Sequence, residues 1–179
     1  MKFFTLTSLF MMLCFFCKAQ TSYSNKPGFT FGGDVGLPMG NTAHKYNVAL
    51  GGFIQQSVPL TGALQITVGI NYTKLKGKSN VGDSVPPQFI YSYPDIDIIA
   101  ANAGLKYYLQ PSIYIKAEGG AAILESTVAF VYSPQIGLDI PVGKKHLLDL
   151  SLRYQGSNNY RGPNLNKISF AGLHLGFSF

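Results

Sequence analysis

From Gly28 onward, apolar residues fall on every second position. In LLDLSLRYQ, Leu148, Leu150, Leu152 and Tyr154 share one parity, while Asp149, Ser151, Arg153 and Gln155 share the other. In LQITVGINYT, Leu64, Ile66, Val68, Ile70 and Tyr72 oppose Gln65, Thr67, Gly69, Asn71 and Thr73. The closing stretch FAGLHLGFSF sets Ala171, Leu173, Leu175, Phe177 and Phe179 against Gly172, His174, Gly176 and Ser178. Period-two alternation is the pattern of a strand with one apolar face. It predicts eight strands, at 28–37, 46–58, 64–75, 95–109, 113–124, 129–140, 146–155 and 168–179.

The connections sort by length. VPLTGA, LQPS and PVGKK are tight, whereas LKGKSNVGDSVPPQFIYSYPD and GSNNYRGPNLNK are long and rich in Gly, Pro, Asn and Ser. With both termini at one end, the tight turns gather there and the longer loops lie opposite. That is the layout of an all-β, eight-stranded antiparallel up-and-down barrel of the outer-membrane type, small enough for side chains to fill its interior. Three features strain the pattern. Ile96 and Ile98 take the opposite parity from Ala101, Ala103 and Leu105, which predicts a bulge near Ile99. The pairs Gly32–Gly33, Gly51–Gly52 and Gly119–Gly120 predict sharp bending, and Pro134 predicts a strand irregularity.

Alternation alone does not say which face is inside. A soluble lipid-binding barrel would turn Leu and Ile inward; a membrane barrel would do the reverse. The aromatics favour the membrane. Phe29, Phe31, Tyr107, Phe177 and Phe179 fall near the terminal end of their apolar faces, and Tyr72, Phe130, Tyr132 and Tyr154 near the loop end, with Leu, Ile, Val and Ala between. Two aromatic girdles around an aliphatic band suit a surface facing lipid.

The first residues agree with that reading. Lys2, the apolar run from Phe3 to Phe16 and the segment Cys17-Lys18-Ala19 predict a secretory signal peptide over 1–19, cut before Gln20. Leu13 and Phe16 precede the two cysteines, which departs from a lipoprotein signal. A short periplasmic segment, 20–27, then leads into the barrel, 28–179. Both cysteines lie in the leader, so disulfides, thiol catalysis and cysteine–metal sites are not expected in the exported chain. The charge of +6 falls to +4 on losing Lys2 and Lys18, twelve basic residues against eight acidic. The basic residues are scattered, so nucleic acid is not an expected partner. Past the leader no stretch approaches the ~20 apolar residues of a spanning helix. A membrane crossing would therefore need a closed barrel, in which no strand edge meets lipid unpaired.

FTFGGDVGLPMGN, AGLKYYLQPSIYIKAEGGAA, FVYSPQIGLDIPVG, LLDLSLRYQG and the terminal LGFSF together resemble the porin-like outer-membrane β-barrel domain family common in Bacteroidota, over nearly all of the mature chain. The resemblance implies a Gram-negative outer-membrane location, outer-membrane lipid and lipopolysaccharide as surroundings, and Phe179 as the end of a signal for the barrel assembly machinery. It transfers no catalytic residues.

Candidate chemistry is sparse. The inward parity carries Asp34, Glu118, Asp139 and Asp149 beside Lys106, Lys116, Arg153 and His174, a nearly neutral set that reads as paired plugging of the lumen. A gated small-solute path is the alternative, and eight strands leave little room for it. His44, His146 and His174 fall in a loop, near a terminal-end turn and in the lumen, too far apart for one metal. No cofactor is expected either: GGDVG superficially looks like a phosphate loop but is followed by Leu37, Pro38 and Gly40 instead of a helix. A lipid A-modifying enzyme would need His44 with Ser79, Ser84 or Ser92, and no activating arrangement is visible. Lys74, Lys76 and Lys78 continue the outward parity of Ile70 and Tyr72, which predicts a clamp on lipid phosphates, with Lys45 and Lys167 nearby. Phe89, Tyr91 and Tyr93 put aromatic groups on the second loop, where a partner or glycan could bind, and Asp83-Ser84-Val85 resembles a short O-glycosylation signal. No external ligand is named by these residues, and the expected role is non-enzymatic, structural or surface-interacting.

Overall fold

The computed structural model describes residues 28–81, 90–124, 127–143, 145–158 and 167–179. The expected signal peptide, the 20–27 segment, Ser84, Phe89 and the Asp83-Ser84-Val85 signal lie outside the described residues. Eight long strands form where the alternation is strongest: β1 (Gly28–Pro38), β2 (Tyr46–Pro59), β3 (Leu64–Gly77), β6 (Ile96–Tyr108), β7 (Ile113–Leu124), β8 (Thr127–Val142), β9 (His146–Asn158) and β10 (Ser169–Ser178). Each pairs antiparallel with its sequence neighbour among these eight, and β1 pairs with β10 to close the barrel. Along that seam the register runs from Thr30↔Ser178 to Pro38↔Phe170, and Phe29 and Phe179 exchange backbone hydrogen bonds at 3.1 and 3.0 Å.

The loop end holds features the alternation did not reveal. A 3-10 helix, Gly40–His44, links β1 to β2. Between β3 and β6 a separate two-stranded sheet forms from β4 (Ser79–Val81) and β5 (Ile90–Ser92). Not every connection there is long: β7 and β8 pair up to Leu124↔Thr127, with only two residues between them in sequence.

Side chains alternate with the pleat, and the apolar set faces outward. Ile70 is 62 % exposed, Val68 56 % and Leu152 60 %, whereas Lys116 and Arg153 are 3 % and 5 % exposed. The predicted bulge near Ile99 is not there. Strand β6 alternates without interruption and keeps one register with β3, so Ile96, Ile98 and Ala100 point inward in line with Asn102 and Lys106. The irregularity sits instead in β2, between Tyr46 and Val48. Pro134, which cannot donate to a ladder, coincides with a gap in the β8–β9 pairing between Tyr132↔Gly156 and Gln135↔Arg153, and the register resumes unchanged. In each expected glycine pair one member faces a close neighbour: a Cβ would fall 2.0 Å from the Leu175 carbonyl at Gly32, 2.5 Å from that of Tyr72 at Gly51 and 1.9 Å from that of Ala101 at Gly120. At these three positions a carbonyl of the neighbouring strand takes up the space of a side chain, so only glycine fits.

Inward residues divide into two zones. Toward the terminal end the interior is charged and polar. Toward the loop end it is apolar, built from Tyr46, Leu75, Ile98, Leu124, Val131 and Phe170 with their buried neighbours. The ionisable set plugs only the lower part of the lumen: the upper part is a hydrophobic plug, because strands long enough to rise past the charged layers carry apolar side chains on both faces there.

Candidate functional site

The eight inward ionisable residues come from six strands and assemble into connected layers. Nearest the terminal end, Lys106 on β6 lies between two carboxylates, 2.9 and 2.7 Å from the two oxygens of Asp139 on β8 and 3.5 Å from Asp149 on β9. Two tyrosines complete the layer. Tyr108 donates to Asp139, and Tyr114 donates to Asp149 at 2.6 Å. The Lys106 ammonium also stands 3.8 Å from the centre of the Tyr114 ring, so its charge meets two anions and an aromatic face. The sequence reading missed both tyrosines as members. Their parity was the available signal, since Tyr108 lies two positions from Lys106, and Tyr114 two from Lys116.

The middle layer is built by neighbours on β7. Lys116 sits 3.1 Å from Glu118 and donates to Gln55 at 2.7 Å. Glu118 accepts in turn from Thr67 at 3.2 Å and from Gln135 at 3.0 Å. Across the lumen Arg153 spends three N–H groups on three partners: Ser133 at 2.7 Å, Gln155 at 2.7 Å and Asp34 at 3.3 Å. Asp34 also meets His174 Nδ1 at 2.6 Å, and the His174 ring stacks on Phe53 with centroids 3.7 Å apart. A buried charge without a partner is strongly unfavourable; here every charged lumen side chain has one. The arrangement braces the wall from inside and fills this part of the bore with salt bridges.

The expected girdle residues lie on the outer surface. At the terminal end Phe29 and Phe179 are 5.6 Å apart, Phe31 and Phe177 6.2 Å, and Tyr107 is exposed beside them in height. At the loop end Tyr132 and Tyr154 pair at 6.1 Å, and Tyr72 hydrogen-bonds Asp97.

The lysine series begins just above Tyr72 and is not a set of free cations. Lys76 bonds Asp95 at 2.8 Å, and Lys74 lies 3.6 Å from Asp97 and 3.9 Å from Asp95. Lys78 turns away and donates to the Ala43 carbonyl at 2.6 Å. The hydrogen bond from Lys76 and a second from the Gly77 N–H hold the Asp95 carboxyl below the usual carboxylate range. Lys45 lies over the Tyr93 ring at 5.5 Å, and Lys167 is exposed. Ser79 and Ser92 stand 3.4 Å apart across the β4–β5 hairpin, while His44 lies on the 3-10 helix and His146 stacks on Phe177 at 5.2 Å. Among the described residues no group of three metal-ligating side chains forms.

No family profile and no curated relative matches the sequence. Its likeness to solved structures is one of shape. The outer membrane protein Ail of Yersinia pestis, in a phospholipid bilayer nanodisc, is 12% identical with a TM-score of 0.52, over 86% of this chain and 99% of that one. Neisserial surface protein A is 13% identical with a TM-score of 0.54, over 84% and 95%. OprG, an outer membrane protein of Pseudomonas aeruginosa, is 10% identical with a TM-score of 0.52, over 89% and 99%. The chain shares the closed antiparallel barrel fold of these outer-membrane proteins.

Proposed function

We propose that this chain is an integral β-barrel of the bacterial outer membrane, exported by its leader, with a structural or surface-interaction role and no catalysis. One observation carries the reading: the polarity is inside out. A continuous belt of exposed Leu, Ile, Val and aromatic side chains surrounds a sealed network of ion pairs. Water would penalise an exposed apolar surface of this extent, far beyond the few hundred Å² usual on soluble monomers, whereas acyl chains solvate it without penalty. The folds of Ail, Neisserial surface protein A and OprG lend support.

The lumen argues against a small-solute channel. An ion entering from the loop end meets the apolar plug first and then the Lys106–Asp139–Asp149 layer, and hydrophobic constrictions exclude water and ions together. The outward face above Tyr72 fits contact with lipopolysaccharide: Lys74 and Lys76 are steadied by Asp95 and Asp97, and in a membrane-embedded barrel they would meet the phosphates of the outer leaflet. Lys78 serves the first loop instead.

Membrane fractionation with heated and unheated gel migration tests the core of the proposal. A compact band in unheated detergent that slows on boiling is expected; freely soluble protein without any amphiphile overturns it. Planar bilayers separate the channel reading, for which stable conductance steps are required. Replacing Lys74 and Lys76 by Gln tests the lipid contact, and undiminished lipopolysaccharide co-purification would refute it.

A further inference from the structure

Between the middle layer and the apolar plug the packing leaves a small cavity of about 10 Å³ whose lining includes Phe53, Gly69, Asn102, Glu118, Arg153 and His174. Gly69 makes room for it, because it lies across from Gln55 on one side and from Asn102 on the other and brings no side chain of its own. Two lining atoms are buried and lack a hydrogen-bond partner among the described residues: His174 Nε2 and Asn102 Oδ1. Their residues are 2 % and 8 % exposed. What each atom offers follows from the other end of its residue, the imidazole being taken as its neutral form. His174 engages Asp34 through Nδ1 at 2.6 Å; with the proton on Nδ1, toward the carboxylate, Nε2 offers a lone pair. Asn102 donates through its amide to Asn71 at 2.8 Å, so its oxygen is an acceptor.

Two acceptors cannot satisfy each other. They call for one molecule with two protons to give, and a void of this size suits one water. A third partner is present: the Arg153 guanidinium has five N–H groups, of which Ser133, Asp34 and Gln155 take three. We propose that the cavity is a binding site for a single resident water that donates to His174 Nε2 and to Asn102 Oδ1 and accepts from Arg153. The water then links β6, β9 and β10 where no direct side-chain bond joins Asn102 to His174. It completes the cage around the imidazole, whose Nδ1 is held by Asp34 and whose face is held by Phe53.

The test uses the mature chain refolded in detergent micelles with 15N-labelled histidine. Long-range proton–nitrogen spectra should show His174 protonated at Nδ1 and bare at Nε2, and its carbon-bound ring protons should give a cross-peak to a long-lived water. In Asn102→Leu that cross-peak should be lost while heat-modifiable migration persists. Should the variant fail to fold, electron density of the wild-type protein decides: a peak about 2.7–3.2 Å from both Nε2 and Oδ1 is expected. A dry cavity in the wild type, a proton on Nε2 bonded directly to Asn102, or a water signal surviving in Asn102→Leu each overturns the proposal.

Discussion

Replacing Lys106 by Met is the most informative single perturbation of the barrel. The substitution keeps a long unbranched chain in the same space and removes only the ammonium. Lys106, Asp139 and Asp149 have side chains 6 %, 3 % and 4 % exposed, so solvent screening does not discount their interaction. Asp139 and Asp149 are also direct cross-strand partners, and without the cation two carboxylates face each other with one tyrosine hydroxyl apiece. Removing one partner of a buried pair costs about 3–5 kcal/mol. The two short bonds to Asp139, counted at ~1.5–3 kcal/mol each for hydrogen bonds to a charged group, give the same scale. Urea unfolding of the barrel in lipid vesicles, followed by tyrosine fluorescence and gel migration, measures the difference. Adding Asp139→Asn removes one stranded charge, so the double variant should be more stable than the sum of the singles by about 1.5–3 kcal/mol. A loss below ~1 kcal/mol for Lys106→Met, or simple additivity in the double variant, would refute the view that this layer is a tight electrostatic brace.

Three further outcomes are expected. Gly137→Ala places a Cβ 2.5 Å from the Ser151 Cβ and 2.6 Å from the Tyr114 hydroxyl, and such overpacking should lower unfolding stability by about 1–3 kcal/mol; an unchanged urea midpoint would show that Tyr114 moves freely. Ile70→Lys, midway along β3 on the outer face, should destabilise the barrel in bilayers by about 2–4 kcal/mol, whereas increased solubility without detergent would reverse the face assignment. Asp95 ionises below its ordinary range in the folded protein, so its bonds to Lys76 and Gly77 contribute fully above the unfolded value of about 3.9 and fade as pH falls through the lower folded value. The Gly77 amide shift should titrate accordingly, and a midpoint unmoved by Lys76→Gln would break the assignment.

Much of the barrel was legible because one rule of polarity holds along the outer face of the strands. Eight alternating segments became eight strands with ends shifted by at most three residues, and the inward parity of β9 delivered Asp149, Ser151, Arg153 and Gln155 together. The rule loses force where the interior is apolar as well. Ile96, Ile98 and Ala100 look like a parity slip because alternation reports polarity, not direction, and a greasy inside is indistinguishable from a greasy outside. Partners across strands were hidden for a different reason. Asp97 opposes Lys74 only once the β3–β6 register is known, and Tyr108 and Tyr114 resemble girdle residues until the lumen places them against Asp139 and Asp149. The β4–β5 hairpin is three residues per strand, too short for a periodicity to declare itself.

The β1–β10 seam sets the timetable of assembly. Its pairs, such as Thr30 with Ser178, join the first strand of the barrel to the last, so no intermediate lacking β10 can close. Until β10 is in place, the backbone groups at both lateral margins remain open to any passing strand, which is an invitation to misassociation. Contacts this distant along the chain also form slowly. A nascent chain of this topology therefore needs something to shield or template its margins until the final strand arrives.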